Sequence, residues 1–249
     1  MVPEEKLLVL CGDTSNLSVT YSTPTILDTD NYLYYISLDE FDVYNSIPNI
    51  KKSANTLKIK PGKDKPEQTI SIEPGSYEVS QIYSAIITEL VNKDIKNPDE
   101  NFKFIPRTAT SKLYIELKEG WNLSFDVNNS IAKILGFKRK DKFSGPKVCE
   151  PSSIVMINQI DSLIFYCNIV EPSYFNDTQV PLLYVHPIDV PPGYKMLLGA
   201  GKEPTFIKVN VNVLDKLRVW VEDKKGELID FRGEVLTATL RLRRVLKNQ

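Results

Sequence analysis

The stretch that most limits what this chain can fold into lies near its carboxyl end, from Thr205 to Arg244. Between Leu236 and Arg243 apolar and polar residues alternate without a break. Leu236, Ala238, Leu240 and Leu242 fall on one side, and Thr237, Thr239, Arg241 and Arg243 on the other. A two-residue side-chain period is the mark of a strand with one face in a core. Upstream, Phe206-Ile-Lys-Val-Asn-Val211 alternates in the same way. Asp215 to Asp223 reads as another strand, with Leu214, Leu217, Val219 and Val221 inward and Trp220 opposite. Lys224-Lys225-Gly226 supplies turn chemistry, since glycine takes positive φ freely. Leu228, Ile229 and Phe231 resume the apolar run, and Gly233 interrupts it where a bulge or a bend is expected. The carboxyl end is therefore expected to be paired inside a sheet and to form part of the core.

The rest of the chain extends this β reading, with one interruption. Tyr32, Tyr34 and Ile36 alternate with Leu33, Tyr35 and Ser37, and aromatic enrichment favours a strand. Asp28 to Asn31 is turn material before it, and Tyr44 to Asn49, with Pro48, is an irregular loop after it. From Ser53 to Cys149 the character changes. Short strands are expected at 57–59, 69–72, 102–105, 113–117 and 121–125. The one long helical stripe is Val79, Ile82, Tyr83, Ile86, Leu90 and Val91. A short helix is expected over 130–135, with Asn129 as its N-cap and Gly136 past its end. From Ser152 the β pattern returns in Ile154-Val-Met-Ile157 and Leu163-Ile-Phe-Tyr-Cys167. Pro172, Pro181, Pro187 and Pro191-Pro192-Gly193 then punctuate a long connection to Lys195. These patterns predict a mainly β sandwich or barrel from residues 1–52 and 150–249, with 53–149 as an inserted α+β subdomain.

Composition enters through what it removes. The net charge of −1 gives no general electrostatic grip on nucleic acid or an anionic membrane. No apolar run approaches the roughly 18 residues that span a bilayer. Leu7 to Leu10 is too short for a secretion signal and follows Glu4-Glu5, so the sequons at Asn16, Asn122, Asn128 and Asn176 read as chance. Cys11, Cys149 and Cys167 are odd in number and widely spaced, which suits free thiols and gives no zinc spacing. His186 is the only histidine, which excludes paired-histidine metal sites; it reads as structural. Gly199-Ala-Gly-Lys202 has the outline of a phosphate loop, but Met196 replaces its first glycine and Glu203 its Ser/Thr. It reads as a turn. Asp28 and Asp30 match the start of a calcium loop, yet Tyr32 stands at the next ligand position. With Asp39, Glu40 and Asp42 they read as a solvated acidic stretch. Lys138 to Lys142 and Arg241, Arg243, Arg244 and Lys247 read as solvated or ion-pairing surface. No catalytic, cofactor-binding or metal-ligating residue is therefore expected.

Five phrases in order carry a further signal: Tyr44-Asn-Ser-Ile-Pro-Asn49, Pro74-Gly-Ser-Tyr77, Ile134-Leu-Gly-Phe137, Pro191-Pro-Gly-Tyr-Lys195 and Asp230-Phe-Arg-Gly-Glu234. From about Asn31 to Arg243 the chain resembles the minor capsid (penton) proteins of Maverick/Polinton elements and adintoviruses. The resemblance implies a single jelly-roll β-sandwich with the α+β segment inserted. It also implies a homopentamer at the fivefold vertices of an icosahedral virion, set in a lattice of major capsid protein. Assembly would take place inside the host cell, in cytoplasm or nucleus, with no cofactor, no specific nucleic acid and no membrane span. The alternative is a jelly-roll binding module, lectin-like or receptor-binding, using an exposed aromatic such as Tyr174, Phe175 or Tyr194.

Overall fold

In a computed structural model the described residues are 4–157, 160–199 and 203–247. In chain order they form β1 (Glu4–Gly12), β2 (Asn16–Ile26), β3 (Tyr32–Tyr44), β4 (Thr56–Pro61), β5 (Gln68–Ser71), α1 (Val79–Asn92), α2 (Pro98–Asn101), β6 (Phe102–Arg107), β7 (Lys112–Leu117), β8 (Trp121–Ser124), β9 (Lys142–Ser144) and β10 (Lys147–Cys149). There follow β11 (Ser162–Cys167), β12 (Ser173–Phe175), β13 (Thr178–Val180), β14 (Leu182–Pro187), β15 (Lys195–Leu198), β16 (Ile207–Lys208), β17 (Val213–Glu222) and β18 (Leu236–Leu246). The protein is mainly β, and it divides into two compact units, residues 1–47 with 160–249 and residues 48–159.

The first unit is a sandwich of two antiparallel sheets. One has the order β1-β18-β3-β15, with β16 also on β3, and the other β14-β11-β17-β2. Leaving aside the β12–β13 hairpin and the two-residue β16, its strands in chain order are β1, β2, β3, β11, β14, β15, β17 and β18. The first sheet then holds the first, eighth, third and sixth of these, and the second holds the fifth, fourth, seventh and second. That interleaving of two Greek keys is the jelly roll. Its core takes alternate residues from both sheets, including Ile36, Phe41, Phe165, Val219, Leu240 and Leu242. Phe41 and Phe165 meet edge-on across the core, ring centroids 4.9 Å apart.

β18 lies between β1 and β3, and Leu236, Ala238 and Leu240 are fully buried, with Leu242 nearly so. In β17 both Leu214 and Leu217 are buried although they stand three apart. A register shift between Leu214 and Lys216 against β2 resets the alternation. β11 is buried at every position, as a central strand covered on both faces must be.

The second unit has its own core beneath two sheets, β5-β4-β8-β9 and β10-β7-β6, and helix α1. Ile82, Ile86 and Leu90 form the buried stripe of α1, while Val91 is exposed. At the helix start the Gln81 side chain accepts a hydrogen bond from the Glu78 backbone N–H at 2.8 Å.

Several expected elements differ. Residues 131–137 make a turn, not a helix, and Asn129 is left-handed (φ +58°) rather than a cap. Ser130 is bridged to Thr56, which fixes extended backbone where the first helical turn would have to start. Ile154 to Ile157 is no strand. Val155 N–H donates to Ser111 O and Met156 N–H to Ile134 O, so consecutive donors serve different elements and no ladder forms. The strand expected over 206–211 shortens to β16. Beyond it Val209 N–H donates to Tyr34 O and Asn210 N–H to Ile169 O, so consecutive donors serve β3 and the chain just past β11 and no ladder continues. The proline-punctuated connection contains β12, β13 and β14; Pro181 and Pro187 flank or end β14, which lies at a sheet edge where a missing donor costs little.

Candidate functional site

The polar residues singled out in the sequence are, for the most part, engaged with near neighbours. Both Asp28 carboxylate oxygens accept hydrogen bonds from the Asn31 side chain, at 2.9 and 3.1 Å. Those bonds hold the Asp28 carboxyl below its ordinary value. Asp39 and Asp42, spaced along β3, pair with Arg241 at 2.9 Å and with Lys195 at 2.8 Å. The acidic stretch is thus divided between the turn before β3 and the strand itself rather than gathered round a centre. Among the described residues no three His, Cys, Asp or Glu side chains are grouped so as to hold a metal ion. Of the glycine-rich run, residues 200–202 lie outside the described residues. Gly199 packs on the backbone of β3, where an added Cβ would stand 1.9 Å from the Asp39 carbonyl oxygen.

His186 lies in β14, opposite Leu163 and 7% exposed. Its ring stacks on Tyr184 with centroids 6.3 Å apart, and Nε2 is 3.9 Å from Asp189 Oδ1. Cys149 and Cys167 belong to the two different cores, and burial pushes each thiol from 9.0 to about 11. At neutral pH both are protonated, small apolar fillers. Cys11 is exposed on β1, its Sγ 3.7 Å from Thr237 Oγ1.

The carboxyl-terminal basic residues build a connected polar array in the first unit. On the outer face of its first sheet, Arg241 bridges Glu5 at 3.1 Å and Asp39, and Arg243 meets Glu5 at 2.7 Å. Arg244 pairs with Glu4. The register decides this, because β1 runs antiparallel to β18 and sets Glu5 opposite Arg243 and Glu4 opposite Arg244. The hydrogen bond from Arg243 holds Glu5 below the usual carboxylate range. Arg243 also stacks on Phe206, 3.7 Å from the ring centroid, and Arg244 on Tyr32. These arginines are compensated within the sheet, which leaves little field for a polyanion. In the second unit Lys142 pairs with Asp126 at 2.7 Å and Arg139 donates to Asn128 at 3.0 Å.

Beside this array the edges of β1 and β2 stand apart and leave a cleft of about 190 Å³. Its walls include Leu8, Tyr21, Leu27, Tyr34, Leu214 and Leu242, with Glu4, Lys6 and Arg244 at the rim. No local pattern in the chain marks it. Leu7-Leu-Val-Leu10 is a continuous apolar run without a period, so β1 has no readable inward face until β18 pairs with it. The exposed aromatics Tyr174 and Tyr194 do not line this cleft.

No family model matches the chain, and no curated protein does. Among solved structures it is similar to the crystal structure of the mavirus penton protein. The TM-score is 0.50 and the identity 12%, over 97% of this chain and 100% of that one. At that identity the likeness is one of fold, and it spans both units.

Proposed function

We propose that this chain is a virion structural protein, a penton that assembles as a homopentamer and closes the fivefold vertices of an icosahedral shell built from a major capsid protein. The observation that carries the reading is the fold likeness to the mavirus penton protein along nearly the whole of both chains. The order of the two jelly-roll sheets agrees with it, and the five sequence phrases point toward the same group of Maverick/Polinton and adintovirus capsid proteins. On this reading the role is architectural, and residues 53–149 are an elaboration inserted between two strands of the jelly roll. Its site of action is the virion, and its partners are its own copies and the major capsid protein. A closed ring needs two different surfaces on each subunit that meet head to tail. Sedimentation and negative-stain imaging of the purified protein, alone and with the major capsid protein from the same genome, test the proposal. Five-lobed rings are expected in at least the second preparation; monomers in both would overturn it.

A further inference from the structure

Among the described residues β1 has a neighbour on one side only, β18, so nine residues of strand present a free backbone edge. Edge strands of stable monomers are usually short, bulged or guarded by charge on both faces. β1 is neither short nor bulged, and its charges, Glu4, Glu5 and Lys6, all stand at one end, so Leu7 to Gly12 are unguarded. Leu7 is 62% and Val9 58% exposed on its outer face, and across the cleft Ile26 of β2 is 82% exposed. On the inner face Leu10 is buried, but Leu8, one pleat away, is only half-buried because the cleft opens beside it. At about 190 Å³ the cleft exceeds the roughly 150 Å³ that takes a benzene-sized group, so one large apolar side chain fills it. The rim charges do not cancel. Glu4 is taken by Arg244, while Lys6 has no acidic partner among the described residues.

We infer that the free edge of β1 and the cleft beside it receive an extended segment of another protein chain, apolar at alternate positions and carrying an acidic residue beside Lys6. Pairing along β1 supplies main-chain hydrogen bonds. Side chains on one face of the added strand cover Leu7 and Val9, and one on the other face enters the cleft against Leu8 and Ile26. The uncompensated ammonium of Lys6 selects acid over base at the neighbouring position. The inference stands on the edge, the cleft and the rim charge, and does not depend on the capsid reading.

The test uses the full chain and two blocked heptapeptides of the pattern Val-Thr-Val-Xaa-Val-Leu-Val, one with aspartate and one with lysine at the central position, the leucine being the side chain for the cleft. Backbone amide shifts are followed by NMR during titration. Saturable binding of the aspartate peptide is expected, with shifts confined to β1, the facing part of β2 and residues 26–34. The lysine peptide should bind more weakly. Lys6→Glu, an exposed change that leaves folding intact, should weaken the aspartate peptide by about fivefold and reverse the preference. Leu8→Trp, which fills the cleft from inside, should weaken both peptides. Absence of saturation, or equal affinity for both peptides before and after Lys6→Glu, would overturn the inference. So would shifts at β1 that depend on protein concentration alone, which would make the occupant a second copy, or saturable shifts produced by decanoate and by neither peptide, which would make it a small amphiphile.

Discussion

Leu240 and Thr239 are neighbours in β18 with opposite fates. Leu240 is fully buried, and Thr239 lies on the outer face between Val9 of β1 and Glu40 of β3. Leu240→Asp puts an unpaired carboxylate in the sandwich core, a cost on the order of the whole stability of a small domain. Thr239→Lys gains Glu40 as a cross-strand partner and should change stability by less than about 1 kcal/mol. Thermal melting of the two variants side by side checks this; equal melting temperatures would take β18 out of the core. The thiols make a second residue-scale prediction. With Cys149 and Cys167 raised from 9.0 to about 11, the unfolded chain loses protons in that window while the folded one keeps them. The stabilising contribution is therefore complete below about pH 9 and declines as pH rises toward 11. At about pH 8, iodoacetamide should label Cys11 alone in the native protein and all three cysteines in guanidinium. Rapid native labelling of either buried thiol, read by mass spectrometry, would contradict this packing.

At the scale of elements, β3 shows how one residue fixes a junction. Against β18 its pairing jumps from Glu40 to Leu38, so Asp39 is the extra residue of a bulge. Its side chain goes to Arg241, and its carbonyl lies under Gly199 at the end of β15. Gly199 (φ +88°) and Gly193 (φ +83°) flank β15 with nearly the same backbone, but nothing lies within 4 Å of a Cβ added at Gly193. Gly193→Ala should cost about 1 kcal/mol, the left-handed penalty alone. Gly199→Ala must also displace the β3 backbone and should cost clearly more, with a lower melting temperature and lost amide protection in β15. Equal costs would mean that the contact at Asp39 is slack. Sequence pattern located β3, β11, β17, β18 and α1 because each repeats its period long enough to be read. It failed at 130–135 and 154–157, where apolar residues are present but neighbouring elements take the backbone donors one at a time.

At the scale of the whole molecule, the described residues form two apolar cores, each drawn from its own unit. Ile86→Ala empties space under α1 and Phe165→Ala removes the edge-on partner of Phe41; each should cost about 2–5 kcal/mol. Native hydrogen exchange should lose protection within 48–159 for the first variant and within the flanking unit for the second. Loss spread evenly over both units in either variant would show that they open as one. Among the candidate sites, sequence separated His186, the cysteines and the acidic stretch from catalytic patterns by their spacing. The compensation of Arg241, Arg243 and Arg244 by Glu4, Glu5 and Asp39 joins chain ends more than two hundred residues apart, and no local window contains it.

By itself the sequence determined the β class, the inward face of the carboxyl-terminal strand, the long amphipathic helix α1 and the change of character in the middle of the chain. All of these are properties of side-chain period and turn chemistry, which act over a few residues. Only the tertiary structure decided which strands pair, that β18 lies between the amino-terminal strand and β3, and that an apolar run at residues 7–10 becomes an edge beside an open cleft. Pairing is chosen by the burial of faces contributed from distant parts of the chain. A strand's own residues state which face is apolar, but not which neighbour will cover it.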